Sequence, residues 1–232
     1  MKRTNTPGCA MSRQETLCGI VYMIFQFVFL PSLLYAVNDF LKHPFGEAEL
    51  NFLYYFINFI GMLVLFHNFL GNSAGYAWRH LSQLCQAVIL GLAAYYACLY
   101  VVDKTVSLLV PGFANQNNIS IFSMVGQSRF LMLLGTVILV PPFEECIFRG
   151  LIFRNLYGKS HFAAYAISIL AFALVHISGY WGSYSPLEIL MAVLQYLPAG
   201  LCLAWSYKKA DTIFAPIFIH AAVNYITIYG IR

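Results

Sequence analysis

Long apolar stretches separated by short polar loops run through the whole chain. A helical membrane span needs about 20 mostly apolar residues. Seven stretches meet that measure: roughly 17–37, 50–70, 82–102, a fourth beginning near Phe130, 162–178, 187–206 and 212–229. The fourth runs through Pro141 and Pro142 into a pair of glutamates. Val106–Phe113 is too short to span and reads as a re-entrant or interfacial piece. An eighth span results if the fourth region is divided differently. The pattern predicts an all-α fold, a polytopic transmembrane helical bundle of about seven spans. No polar linker divides it, so residues 1–127 and 128–232 read as two parts of one membrane domain.

Composition supports that reading. Of 232 residues 60% are hydrophobic and 9% charged, against about a quarter charged in a soluble domain. Mean hydropathy is +0.71. The net charge of +4 is spread out, with no basic stripe to engage nucleic acid. Lys and Arg gather in loops that the span order places on one side: Lys2, Arg3, Arg13, Arg79, Arg149, Arg154, Lys159, Lys208 and Lys209. Lys42, Lys104, Arg129 and Arg232 fall on the other. Nine against four predicts a cytoplasmic N-terminus. The first apolar run is too long for a signal-peptide core and lacks a small-x-small site, so it reads as an uncleaved span. Six cysteines show no metal-ligand spacing and read as small buried hydrophobes. The terminal Tyr-Gly-Ile-Arg is no lipidation signal.

In so apolar a chain, the charges Glu144, Glu145 and Arg149 need a reason. Proline is tolerated in a helix's first turn and disfavoured inside it. Pro141–Pro142 therefore predicts a fresh helix near Phe143, with both glutamates at its positive end. Glu145 and Arg149, four apart, share a face and can pair, whereas Glu144 is rotated about 100° away. Glu145 then supports the segment, and Glu144 can face the bundle interior as a general base acting on water. The competing expectation is a solvated helix end with all three charges wet. His176 follows Phe172 near the end of the fifth span, and His220 and Asn224 share a face of the seventh. Ionisable groups at membrane depth usually face a cavity or the bundle interior. These span ends set Glu144 and His176 at depths about 10 Å apart. His43, His67, His80 and His161 read as interfacial. No G-x-S-x-G, H-E-x-x-H or H-x-x-E-H motif is present.

Three patterns in order, E-E-x-x-x-R at Glu144, Glu145 and Arg149 with Gly150, F-x-x-x-H at Phe172 and His176, and H-x-x-x-N at His220 and Asn224, resemble the CPBP family. These are the CAAX-protease and bacteriocin-processing (Abi or Rce1-like) intramembrane proteases. The runs Gly200-Leu-Cys-Leu and Ala215-Pro-Ile fit the same pattern, and the likeness covers roughly 128–228. The resemblance implies a catalytic core in the second half of the chain and an endopeptidase acting on peptides, leader peptides or lipidated, CAAX-like proteins. Glu144 and His176 would activate water, His220 and Asn224 would stabilise the oxyanion, and Glu145 and Arg149 would hold the segment in shape. A metal-free mechanism is expected; the alternative is Zn²⁺ on Glu144, His176 and His220. Expected partners are a peptide or lipidated protein substrate and membrane lipid, in a bacterial cell membrane. Two rival classes remain: a non-proteolytic regulator or bacteriocin-immunity protein acting by binding, and a transporter or channel. The near absence of charge in the first three spans argues against the last.

Overall fold

A computed structural model describes residues 9–230. Lys2, Arg3 and Arg232, counted above among the loop charges, lie outside these residues, as does the end of the terminal Tyr-Gly-Ile-Arg. Among the described residues nine helices follow one another, apart from a 3₁₀ turn at Ser178–Tyr180, and no strand occurs. They are α1 (Arg13–Asp39), α2 (Glu47–Leu65), α3 (His67–Arg79), α4 (Leu81–Leu109), α5 (Gln116–Gln127), α6 (Arg129–Tyr157), α7 (His161–Ile177), α8 (Pro186–Ala210) and α9 (Phe214–Tyr229). Six are long and apolar enough to cross a membrane. The seventh apolar helix, α9, has 16 residues, about 24 Å at the usual rise. The chain is an integral membrane protein of the expected class.

The order around α6 decides the architecture. Its most apolar window is 61% buried, against 17% for α1 and 11% for α4. A helix apolar all round belongs in the middle of a bundle, and α6 packs against α1, α2, α7, α8 and α9. It also corrects the proline expectation. Pro141 and Pro142 do not begin a new helix. Residues Leu134–Leu139 just before them form a π-helical turn, in which the Val140 N–H donates to the Gly135 carbonyl. That wider turn accommodates residues that lack an N–H and would crowd the carbonyl four positions back. A second π-helical stretch, Cys146–Phe153, follows the glutamates. Glu144 and Glu145 thus sit mid-helix, away from any helix end.

The same continuity removes the depth mismatch. Tyr157 lies about 13 residues beyond Glu144, and His176 about 15 beyond His161. At ~1.5 Å per residue, both are about 20 Å from the tight connection 158–160 between antiparallel α6 and α7.

Other boundaries differ from the sequence reading. The stretch 50–70 is broken at Phe66 (φ −113°, ψ 22°). Beyond it α3 buries Phe69, Ser73 and Ala77, one stripe at helical spacing, so it lies along the bundle with its other face out. Val106 through Leu109 form the last turn of α4 rather than a separate re-entrant piece. The polar stretch near Asn115 opens α5, capped by Asn115 itself. Cys9, Cys146 and Cys202 are buried, but Cys18 and Cys85 are exposed, so the all-buried expectation holds only in part.

Specific polar contacts fix the ends. Ser12 and Glu15 form a reciprocal cap on α1, and the second Glu15 oxygen accepts from the Phe69 N–H at 2.9 Å, tying α3 to α1. Thr212 donates to the Ser73 carbonyl at 3.0 Å, which pins the α8–α9 connection on α3. Small residues let helices approach. A Cβ on Gly200 would lie 3.2 Å from the Ile169 backbone Cα, so α7 and α8 touch there.

Gly200→Val should therefore force α7 and α8 apart. A loss of about 1–3 kcal/mol is expected from overpacking, read as a lower midpoint of denaturant unfolding in detergent. An unchanged midpoint would mean the helices are not held this close.

Candidate active site

Five of the six residues singled out from the sequence converge through direct contacts, and the sixth lies one helical turn away along α9. From α6 come Glu144, Glu145 and Arg149; from α7 comes His176; from α9 come His220 and Asn224. The wet helix-end expectation is overturned, because Glu145 and Arg149 are fully buried and Glu144 is 8% exposed. Arg149 is also no loop charge and leaves the count that set orientation.

Arg149 and Glu145 build the floor. Their Nε and Oε2 atoms lie 3.2 Å apart, and Nη1 donates to Oε1 at 3.2 Å. Nη2 reaches the Gly200 carbonyl at 3.4 Å on α8. The guanidinium lies over the Phe172 ring, 4.6 Å from its centre, a favourable cation–π contact away from water. Arginine suits this place because one planar fork serves a carboxylate, a carbonyl and a ring together.

Glu145 has a second role that the sequence spacing did not reveal. His220 Nδ1 lies 2.8 Å from Glu145 Oε1, across 75 residues of chain. A buried carboxylate at that distance accepts the Nδ1 proton and orients the ring, a pairing common where imidazoles do chemistry. His220 Nε2 is thereby turned toward Glu144, 3.9 Å from its Oε2.

His176 is oriented differently. Its Nδ1 lies 2.8 Å from the Phe172 carbonyl, which can only accept. The ring proton therefore sits on Nδ1 and leaves a lone pair on Nε2. That Nε2 also points at Glu144 Oε2, again from 3.9 Å. Tyr196 of α8 packs on the ring at 4.6 Å. Asn224 donates to the Thr136 carbonyl at 2.8 Å. That carbonyl lies near the first π-helical turn, and the second amide proton of Asn224 remains available.

Glu144 thus faces two imidazole nitrogens at a separation too long for hydrogen bonding and suited to one bridging water. Tetrahedral zinc ligands about 2.0–2.1 Å from the metal lie roughly 3.4 Å from one another. The separations of 3.9 Å are wider than that set requires, and no group of three His, Cys, Asp or Glu among the described residues has ligating geometry.

A cavity of about 530 Å³ leads to these groups and takes in Glu144, His176, His220 and Asn224. Its outer part is lined by amides and hydroxyls, among them Asn115, Asn117, Gln195 and Tyr196. Asn117 donates to the Tyr196 hydroxyl at 2.9 Å, and Asn115 to the Gln195 side chain at 3.0 Å. The sequence reading noted only a polar stretch here; three asparagines within four residues of so apolar a chain were the available signal. The other histidines carry no such groups. His67 and His80 bond carbonyls of their own helical turns, and His161 stacks on Tyr157.

A helical membrane bundle here turns a carboxylate, two imidazoles and an amide into one shielded cavity, a set of groups able to move protons. Residues 126–226 match the family described as type II CAAX prenyl endopeptidase Rce1-like. The chain is 32% identical over 114 residues to "Putative membrane peptidase YdiL" of Bacillus subtilis (strain 168), covering 49% of this chain and 42% of that one. It is 32% identical over 87 residues to "UPF0177 protein YxdF" of Lactococcus lactis subsp. lactis (strain IL1403), covering 38% of this chain and 42% of that one. The matched part thus spans less than half the length of these curated relatives. No solved structure matches the chain.

Removing one member of the floor should expose its cost. Arg149→Leu leaves Glu145 charged and buried, and a loss of about 3–5 kcal/mol is expected. The double variant Arg149→Leu/Glu145→Gln should recover part of it in denaturant unfolding. Strictly additive losses would show that the two do not interact.

Proposed function

We propose that the chain is an intramembrane endopeptidase that cleaves membrane-associated or lipidated proteins, or leader peptides, with water activated by Glu144 and His176. The observation that carries this reading is the pair of 3.9 Å gaps from Glu144 Oε2 to the two imidazole Nε2 atoms. Carboxylate and His176 Nε2 are both acceptors and cannot bond each other. A water between them donates one proton to each and keeps a lone pair for a carbonyl carbon.

The steps then balance. Attack forms the carbon–oxygen bond while Glu144 takes the water proton. The tetrahedral oxyanion receives hydrogen bonds from Asn224 and from His220, whose Nε2 donates when the ring carries both protons. Glu144 returns its proton to the leaving nitrogen as the peptide bond breaks. Glu145 and Arg149 act as positioning residues. The width of the Glu144–imidazole gaps supports a metal-free reaction.

Orientation follows from the described cations. Arg13, Arg79, Arg154, Lys159, Lys208 and Lys209 lie toward one end of the spans, and Lys42, Lys104 and Arg129 toward the other. This bias supports a cytoplasmic N-terminus in a bacterial cell membrane. The cavity, reached past Asn115 and Gln195, then opens on the opposite face.

The test is a cleavage assay in detergent on lipidated and leader-type peptides. Glu144→Gln and His176→Ala should lower turnover by about 10²–10⁴, and Asn224→Ala by about 10², while each variant keeps the parent's elution volume. Full activity in Glu144→Gln would overturn the reading and favour action by binding. Activity abolished by chelator and restored by Zn²⁺ would overturn the metal-free choice.

A further inference from the structure

Among the described residues the cavity wall carries no Lys or Arg; its charged residues are Glu144 in the depth and Asp103 near the mouth. Asp103 lies on α4, outside the family-matched segment 126–226. It is exposed, unlike the buried Glu144. Gln195 donates to its Oδ1 at 3.4 Å and accepts from Asn115 at 3.0 Å. This chain of amides holds one Asp103 oxygen at the cavity wall.

The surroundings reinforce its sign. Among the described residues, this end of the bundle holds Asp39, Glu47, Glu49, Asp103 and Glu188 against Lys42, Lys104 and Arg129. The two nearer cations turn to aromatic rings instead of the cavity, Lys104 to Tyr100 at 5.6 Å and Arg129 to Tyr229 at 6.0 Å. Glu47, Glu49 and Glu188 do not line the cavity; Glu49 and Glu188 are occupied by helix caps. A carboxylate at the mouth of a low-dielectric cleft concentrates the field along its entrance.

We propose that the cavity selects peptides with a cationic side chain or free amino group near the scissile bond, and that Asp103 reads that charge. The proposal rests on the peptidase reading for the site's chemistry. It deepens that reading by naming the substrate class: a neutral amide lining holds the peptide backbone, and one carboxylate prefers a cation. The same field disfavours a free C-terminal carboxylate or an acidic residue in that position.

The experiment uses the full chain in detergent and fluorogenic peptides carrying Lys, Gln or Glu two to five residues on either side of the cleaved bond. In the wild type, kcat/KM for the best Lys peptide should exceed its Gln counterpart by about fivefold, the scale of one solvent-accessible ion pair, with Glu below both. In Asp103→Asn, which keeps the acceptor for Gln195, the Lys-to-Gln ratio should fall to about one. In Asp103→Lys the Glu peptide should become the best. High salt should compress the wild-type ratio. An equal Lys preference in wild type and Asp103→Asn would overturn the proposal, and so would no preference in the wild type. If the wild type cleaves none of the peptides, the peptidase reading fails separately. Binding of the same labelled peptides, followed by fluorescence anisotropy, then decides the charge selection: loss of the Lys preference in Asp103→Asn supports it, and its persistence or absence throughout overturns it.

Discussion

The fully buried ion pair between Glu145 and Arg149 is the contact on which the rest of the site depends. Two charges so deep in a bundle are costly unless each is fully engaged. Here the engagement joins four helices. Arg149 reaches the α8 backbone at Gly200 and the α7 ring of Phe172. Glu145 reaches His220 on α9. The pair fixes how α7, α8 and α9 meet α6, and its orientation of His220 turns the other imidazole nitrogen toward Glu144. Stability and chemistry are therefore not separable at Glu145. A change there alters the packing of the bundle and the aim of an imidazole together.

Adjacent glutamates in one helix hold different environments because the helix turns about 100° between them. Glu145 faces the interior floor, where its Oε1 accepts from Arg149 and His220 and its Oε2 lies 3.2 Å from the Arg149 Nε. Glu144 faces the cavity, and its Oε2 has no direct hydrogen bond among the described residues. A carboxylate oxygen left free beside two imidazole nitrogens is poorly suited to a structural task, since an unsatisfied buried acceptor is destabilising. It is well suited to holding a water. The π-helical stretches on either side of the pair fit the same pattern. Such turns recur at functional sites, where the backbone must depart from a regular helix to aim a side chain.

Much of this was legible from residue types and spacing. Apolar run lengths identify every span, and Glu145–Arg149 pairing follows from a separation of four. The isolation of ionisable residues in apolar sequence marks Glu144, His176 and His220. What spacing could not supply was long-range. The His220–Glu145 contact joins residues 75 apart, and no periodicity within one helix encodes it. The prolines misled because the rule they invoke holds for a regular α-helix, and the chain evades it with a wider turn. That single error moved the end of the fourth span inward by about a dozen residues, which created the false depth difference between Glu144 and His176. Phe66 hid the break between α2 and α3 because an apolar residue at a bend looks like one within a span.

The charge distribution links entry to chemistry. Among the described residues, cations gather at the end of the bundle away from the cavity mouth, and carboxylates outnumber cations at the mouth's end. That asymmetry sets the sign of the field around the entrance. Within the cavity that field meets neutral amides and then the acid and imidazoles, with no fixed cation until Arg149, which Glu145 already occupies. The cavity thus ends at Glu144 and at the His176 Nε2, which lies 3.9 Å from it. Beside them stands the His220 ring, whose Nδ1 is already held by the carboxylate that anchors the fold.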